Sequence, residues 1–143
     1  MAGPVSFSFK DVVVLFNGIP LTGFADGPDA IVIERNVDAY RLLIGADGDA
    51  VALKSANRSG VATLRFLQTS SSNAVLTAAL KVQDAGLLSP ASFAVKDSNS
   101  QDLVLAEGAF PAGPPSLAYG DDHNKREWRL ALPAVDIFAN GSI

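Results

Sequence analysis

YRLLIGADGDAVALKSANRSGVATLRFLQTSSSNAVLTAALKVQ, residues Tyr40–Gln83, holds in one stretch the elements from which the rest of the chain can be read. Tyr40 to Ile44 is an apolar run closed by Gly45-Ala46-Asp47-Gly48-Asp49, a turn composition, because glycine tolerates positive φ and aspartate hydrogen-bonds its own backbone. Val51 to Lys54 resumes an extended run, and Ser55 to Gly60 breaks it. Val61 to Leu67 reads as a strand, rich in β-branched and aromatic residues and free of Gly and Pro. A helix over about 71–83 follows, with Ser70 or Ser71 as its cap and Val75, Leu76, Ala79, Leu80 and Val82 as its apolar stripe.

Working outward toward the N-terminus, Val5 to Phe9 alternates as a half-wet strand, and Val12 to Phe16 is an unbroken apolar run. Asn17-Gly18 behind it is a hairpin signal, and Pro20 confines the return strand Ile19 to Phe24 to an edge. After the loop Asp26 to Asp29, Ala30 to Arg35 is the next strand. Beyond the helix, Gly86 is a helix stop and Leu87-Leu88 can fold back on the core. Ser92 to Lys96 and Asp102 to Ala106 form a hairpin around residues 97–100. Gly108 to Pro115, rich in Gly and Pro, is read as excluded from a central strand. Leu117 to Tyr119 is a short strand and Gly120 to Lys125 a polar loop. Arg126 to Leu132 alternates Trp128, Leu130 and Leu132 against Glu127, Arg129 and Ala131, Val135 to Phe138 continues after Pro133, and Asn140 to Ile143 is a tail.

About eight or nine short strands and one helix predict a mainly β fold, an antiparallel barrel or sandwich with a flanking helix, in a single domain spanning 1–143. A strand buried on one face alternates, whereas VVVLF, LLI and LVLA are apolar on both. One helix is too little cover for them, so contacts between copies of the chain are expected.

Composition agrees. The 143 residues are 48% hydrophobic and 18% charged, yet no apolar run is long enough for a membrane-spanning helix. Surplus apolar surface then points to burial between subunits. The net charge of −4 disfavours a protein that grips nucleic acid by neutralising phosphates. There is no cysteine, hence no disulfide or thiolate site. The N-terminus lacks a basic and then apolar leader, so cytoplasmic synthesis is expected.

The residues offer little chemistry. His123 is the single histidine, and its neighbours Asp121 and Asp122 make at best an oxygen-rich loop. Asp47-Gly48-Asp49 resembles a calcium-loop fragment but lacks the further oxygen ligands. No G-x-S-x-G elbow or Gly-rich phosphate loop is present, and the hydroxyls from Thr69 to Ser72 have no base near them. Trp128, alternating with Leu130 and Leu132, reads as core before it reads as a sugar platform. No catalytic residue, cofactor or metal site is assigned.

Several short motifs converge on a family. Ser8-Phe9-Lys10-Asp11-Val12, Ile31-Val32-Ile33-Glu34, Ile44-Gly45-Ala46-Asp47-Gly48, Ser59-Gly60-Val61, Leu67-Gln68-Thr69-Ser70, Asn73-Ala74, Pro114-Pro115, Tyr119 and Glu127-Trp128 appear in an order that resembles the tail-tube proteins of contractile-tailed bacteriophages, over nearly the full length. Ser71 departs from the proline common there, and the Gly108–Pro115 loop is individual. The resemblance implies a barrel or sandwich shared with type VI secretion tubes, in which six subunits join their sheets into a ring and rings stack into a hollow tube. It implies a virion tail protein, with sheath, tape-measure, baseplate and tail-terminator proteins as partners, DNA as passing cargo, and no membrane. An acidic lumen would let DNA slide.

Alternatives remain in view. Within the class stands a baseplate tube initiator or a type VI-like tube subunit; outside it, a carbohydrate-binding β-sandwich using Trp128 and Tyr119. For the assembly reading, the Gly45–Gly60 loop is expected to make the contact between rings, through Asp47, Asp49, Lys54 and Arg58. Val12, Val13, Val14, Leu42, Leu43 and Ile44 are expected in the sheet shared between subunits.

Overall fold

The computed structural model describes residues 12–25, 29–86, 91–97, 101–120 and 125–139. The expected strand Val5–Phe9, most of the Asp26–Asp29 loop, Leu87-Leu88, the 98–100 hairpin tip, His123 with its aspartates, and the Asn140–Ile143 tail lie outside them. In chain order the elements are β1 (Val12–Phe16), β2 (Ile19–Pro20), β3 (Ile31–Arg35), β4 (Tyr40–Ile44), β5 (Ala50–Lys54), β6 (Gly60–Leu67), α1 (Ser72–Asp84), β7 (Ala91–Asp97), β8 (Leu103–Pro111), β9 (Lys125–Leu132) and β10 (Ala134–Phe138). The mainly antiparallel β fold with one helix is as the sequence predicts, with ten described strands rather than eight or nine.

Eight strands form one antiparallel sheet in the order β2-β1-β7-β8-β9-β6-β3, with β10 also paired to β8. β8 makes the corner. Ala91 lies opposite Ala109 and Phe93 opposite Ala106, so β8 carries one extra residue there. Gly108 supplies the positive φ of +78° within that bulge. The first half of β8 therefore pairs with β7 and β10, and its end, Phe110 and Pro111, turns onto β9. This corrects the reading of Gly108–Pro115. Glycine forms the bulge that bends the strand, and Pro111, which has no N–H to give, sits at the strand's last ladder position. Leu117–Tyr119 is also corrected: residues 112–120 contain no strand.

The bend brings two inner faces together. Val14, Phe16, Phe93, Val104, Ala106 and Val135 come from one side, and Ala62, Leu64, Phe66, Trp128, Leu130 and Leu132 from the other. The alternation of β6 and β9 is the direct cause, since period two puts every second residue on one face. Burial of some 1.5–3 kcal/mol for each large apolar side chain is what holds the two sides together. At the β1–β2 turn, Asn17 and Gly18 both adopt positive φ, +52° and +79°, as a two-residue hairpin of primed type requires.

The helix closes one end. Leu76 is fully buried, with Val75, Ala79 and Leu80 against the core, but Val82 is 45% exposed and does not belong to the stripe. The Ser71 side chain makes no cap bond; Ser70 Oγ accepts the Ser72 N–H at 3.2 Å instead. At the far end Gly86, at φ +83°, terminates the helix with its N–H donated to the Gln83 carbonyl.

Candidate assembly surfaces

β4 and β5 pair only with each other and stand outside the main sheet. The Gly45–Asp49 turn between them is closed by the Gly45 N–H bonding to the Asp49 carbonyl, and Asp47 Oδ1 accepts the Asp49 N–H. This hairpin arm buries almost nothing: Tyr40 is 60% exposed, Leu42 69%, Ile44 55% and Val51 48%. Large apolar side chains held in water on a two-stranded ribbon are unstable in isolation. Exposed apolar surface of this kind is typical of docking sites between proteins.

The arm leaves the sandwich through a fixed root. Arg35 Nη2 donates to the Asn57 carbonyl, Asn36 Nδ2 to Ser59 Oγ, and the Val135 N–H to the Arg58 carbonyl. Arg58 also forms an ion pair with Asp136 on β10. A cavity of about 540 Å³ opens beside the root, lined by Val37, Asp38, Arg41, Leu53, Lys54 and Ser55.

The outer faces of the sandwich differ. On β3, β6 and β9 the outward face is mixed: Val32, Val61 and Ala131 share it with an ionic cluster in which Arg65 lies 3.4 Å from Asp29, just before β3, and 3.6 Å from Glu127, and Arg129 lies 3.6 Å from Glu127. On β1, β7, β8 and β10 the outward residues are largely apolar. The register places Val13, Lys96, Leu103 and Phe138 in one row and Leu15, Ala94, Leu105 and Asp136 in the next. Val13, Leu105 and Phe138 are each close to half exposed.

A polar staple fixes the helix to the sandwich. Ser72 Oγ accepts the Thr22 N–H at 2.8 Å and donates to the Thr22 carbonyl, while Ser70 Oγ donates to the same carbonyl. Asn73 Nδ2 donates to the Leu67 carbonyl, and its Oδ1 accepts the Trp128 indole N–H at 3.0 Å. The Thr69–Ser72 hydroxyl region is thus structural, and Trp128, 1% exposed, is core rather than a sugar platform. Tyr119 is exposed, with the guanidinium of buried Arg126 5.2 Å from its ring centroid. Among the described residues no cluster of three metal-ligating side chains occurs.

The ten residues assigned to assembly from sequence fall in three places. Leu42, Leu43, Ile44, Asp47, Asp49 and Lys54 are all on the arm, exposed. Val12, Val13 and Val14 are on β1, where only Leu15 and Phe16 pair with β2. Val13 points outward and Val14 into the core. Arg58 lies at the root, engaged by Asp136. The apolar face that includes Leu105 and Phe138 was not singled out from sequence. Its signal was the two-sided apolarity of VVVLF and LVLA, but only the register shows that these strands present one continuous face.

Residues 6–139 match the family described as Bacteriophage PhiTE tail tube protein. The chain belongs to this tail-tube family. It is similar to "Structural protein ORF10" of Pseudomonas phage KPP10, with 31% identity over 142 residues, covering 92% of this chain and 81% of that protein. Among solved structures it resembles the sheath/tube terminator of an extracellular contractile injection system, PVC, at TM-score 0.66 and 14% identity, over 96% of this chain and 100% of that one. The tube-terminating cap of the anti-feeding prophage gives TM-score 0.62 at 12% identity over 97% and 95% of the two chains. A chain of the PVC sheath-tube complex gives 0.60 at 14% over 94% and 92%. At these identities the structures show a shared fold. The tail-tube resemblance read from the motifs and the family match agree, and a tail-tube protein is a structural component of the virion.

Proposed function

We propose that this chain is the subunit of the hollow inner tube of a contractile tail. Six copies form a ring, and rings stack into a conduit through which DNA is delivered into the host. The observation that carries the reading is the uncovered apolar surface, an arm and a sheet face, on a tail-tube fold that has no use for either as a monomer. Joining subunits covers both and occupies sheet edges that would otherwise pair without control. The arm, with Leu42, Leu43, Ile44, Asp47, Asp49 and Lys54, is the contact between copies. The edge of β1 at Val12 and Val13, which no strand among the described residues pairs on the β2 side, is a second, with Val14 beneath it in the core.

The ionic cluster on the face of β3, β6 and β9 suits the water-filled channel. Its two guanidiniums, Arg65 and Arg129, are matched by two carboxylates, Asp29 and Glu127, so phosphates passing along it meet cations that are already paired. The reading needs no cofactor and no catalysis. It places sheath protein outside the tube, tape-measure protein within it, and baseplate and terminator proteins at its ends. Synthesis is in the host cytoplasm, before incorporation into the virion.

Electron microscopy of the purified protein tests the proposal: six-membered rings stacked into tubes are expected, and a persistent monomer at high concentration overturns it. A second reading is a ring at the end of the tube, since the same fold serves in two tube-terminating proteins among the structural neighbours. Single rings that do not stack on themselves select that reading.

A further inference from the structure

The arm and the apolar sheet face are complementary, and we infer that the outer face of β1, β7, β8 and β10 is the surface that receives the β4–β5 arm of a second copy of this chain. The inference rests on the assembly reading and deepens it by naming the receiving surface.

Residues directly opposite in an antiparallel pair share a face. One face of the arm therefore carries Tyr40 with Lys54, Leu42 with Ala52, and Ile44 with Ala50. It is an apolar strip with a cation at the root and Asp47 and Asp49 at the tip. The sheet face has the same layout in reverse. Lys96 stands beside Val13 and Leu103 at one end, the centre holds Leu15, Ala94 and Leu105 next to Asp136, whose charge Arg58 already engages, and Glu107 stands opposite Ala134 at the other end. No ion pair engages Lys96, Glu107, Lys54, Asp47 or Asp49 among the described residues.

The lengths agree as well. Each arm strand and the Leu103–Glu107 segment is five residues long, about 16 Å at the usual strand rise. An arm laid with its root at Glu107 and its tip at Lys96 pairs both charged ends and buries Leu42 against Leu105. The reverse orientation sets Lys54 against Lys96 and the aspartates against Glu107, so charge selects one of the two. Within one subunit the arm does not cover this face, because Leu42 and Leu105 are both exposed. The arm must come from another copy, and an arm-to-face contact repeated around a closed ring leaves neither surface bare.

The chain has no cysteine of its own, so introduced pairs report cleanly. Leu42→Cys and Leu105→Cys chains are mixed, assembled and oxidised. A disulfide-linked dimer that exceeds the yield of either chain alone several-fold is expected; assembled particles without it overturn the inference. In parallel, Glu107→Lys is expected to raise the concentration needed for assembly about tenfold, and adding Lys54→Glu in the same chain to restore it. Assembled particles in which Leu42→Cys chains cross-link to one another, and not to Leu105→Cys chains, show arms pairing with arms and overturn the inference while sparing the tube reading. If the unaltered protein does not assemble, the two fail together.

Discussion

β4 and β6 lie in the same stretch of sequence, and both are rich in aliphatic side chains. In β6, Ala62, Leu64 and Phe66 are fully buried; in β4, Leu42, Leu43 and Ile44 are at least half in water or nearly so. The difference is period. GVATLRFL alternates, so one face enters the core and the other carries Thr63 and Arg65 to solvent. YRLLI is apolar on both faces, so no single core can take it. An alternating strand needs one core only, whereas a two-sided one leaves apolar surface in water: β1 and β8 still give one face to the core, and β4 gives neither.

The widest break in that comparison is a pair of alanine substitutions. Phe66→Ala removes a fully buried ring that stacks on Phe24 with centroids 4.7 Å apart, and is expected to cost about 3–5 kcal/mol in urea unfolding of the unassembled subunit. Leu42→Ala on the arm is expected to change that stability by no more than about 0.5 kcal/mol. It should instead lower the mass of assemblies seen by sedimentation. Equal losses of stability from both would mean that the arm packs on its own subunit.

Gly60 joins the two regions, since it begins β6 where the chain returns from the arm's root. A Cβ there would lie 2.6 Å from the Glu34 carbonyl oxygen and 2.8 Å from Val135 Cγ1, and the carbonyl belongs to the paired strand β3. Gly60→Ala is therefore expected to cost about 1–3 kcal/mol, through displacement of β6 from β3. Faster amide exchange along β3 would locate the damage, and an unchanged melting midpoint would refute it.

What the sequence made legible follows the same division. Local signals succeeded: the Asn17-Gly18 hairpin, the Trp128-Leu130-Leu132 alternation, and the Gly86 helix stop each depend on a few adjacent residues. The arm's residues were legible as needing cover. What they were spared from, packing on their own core, was not. The extent of β8 failed because Gly108 and Pro111 are strand breakers by composition, yet a bulge and a terminal ladder position accommodate both. The apolar outer face failed for a different reason. Leu15, Leu105 and Phe138 come from three separate strands, and only their register makes them neighbours.

The helix staple sharpens the comparison from the core side. Asn73→Ala leaves the Trp128 indole N–H buried without its acceptor and removes the bond to the Leu67 carbonyl, at an expected cost of about 1–3 kcal/mol. Because Trp128 is the single tryptophan, its emission reports the site directly. A shifted emission maximum with assembly retained is the expected result; unchanged emission and stability would mean that another group accepts the indole proton.

The smallest effect belongs to Arg58, at the seam between arm and sandwich. Its ion pair with Asp136 joins two side chains that are each about half exposed, 49% and 51%, so solvent screens most of the Coulomb attraction. Arg58→Ala is expected to destabilise the subunit by less than about 1 kcal/mol, with the difference vanishing near 1 M salt. The arm's root keeps its shape, because the Val135 N–H bonds to the Arg58 backbone carbonyl and Arg35 holds the Asn57 carbonyl, neither of which needs the side chain. Assembly should then persist. If Arg58→Ala instead prevents stacking while subunit stability is unchanged, the guanidinium belongs to the contact between rings, where the sequence alone had put it. The division between a self-contained sandwich and an outward-facing arm would then have to be redrawn to include the root.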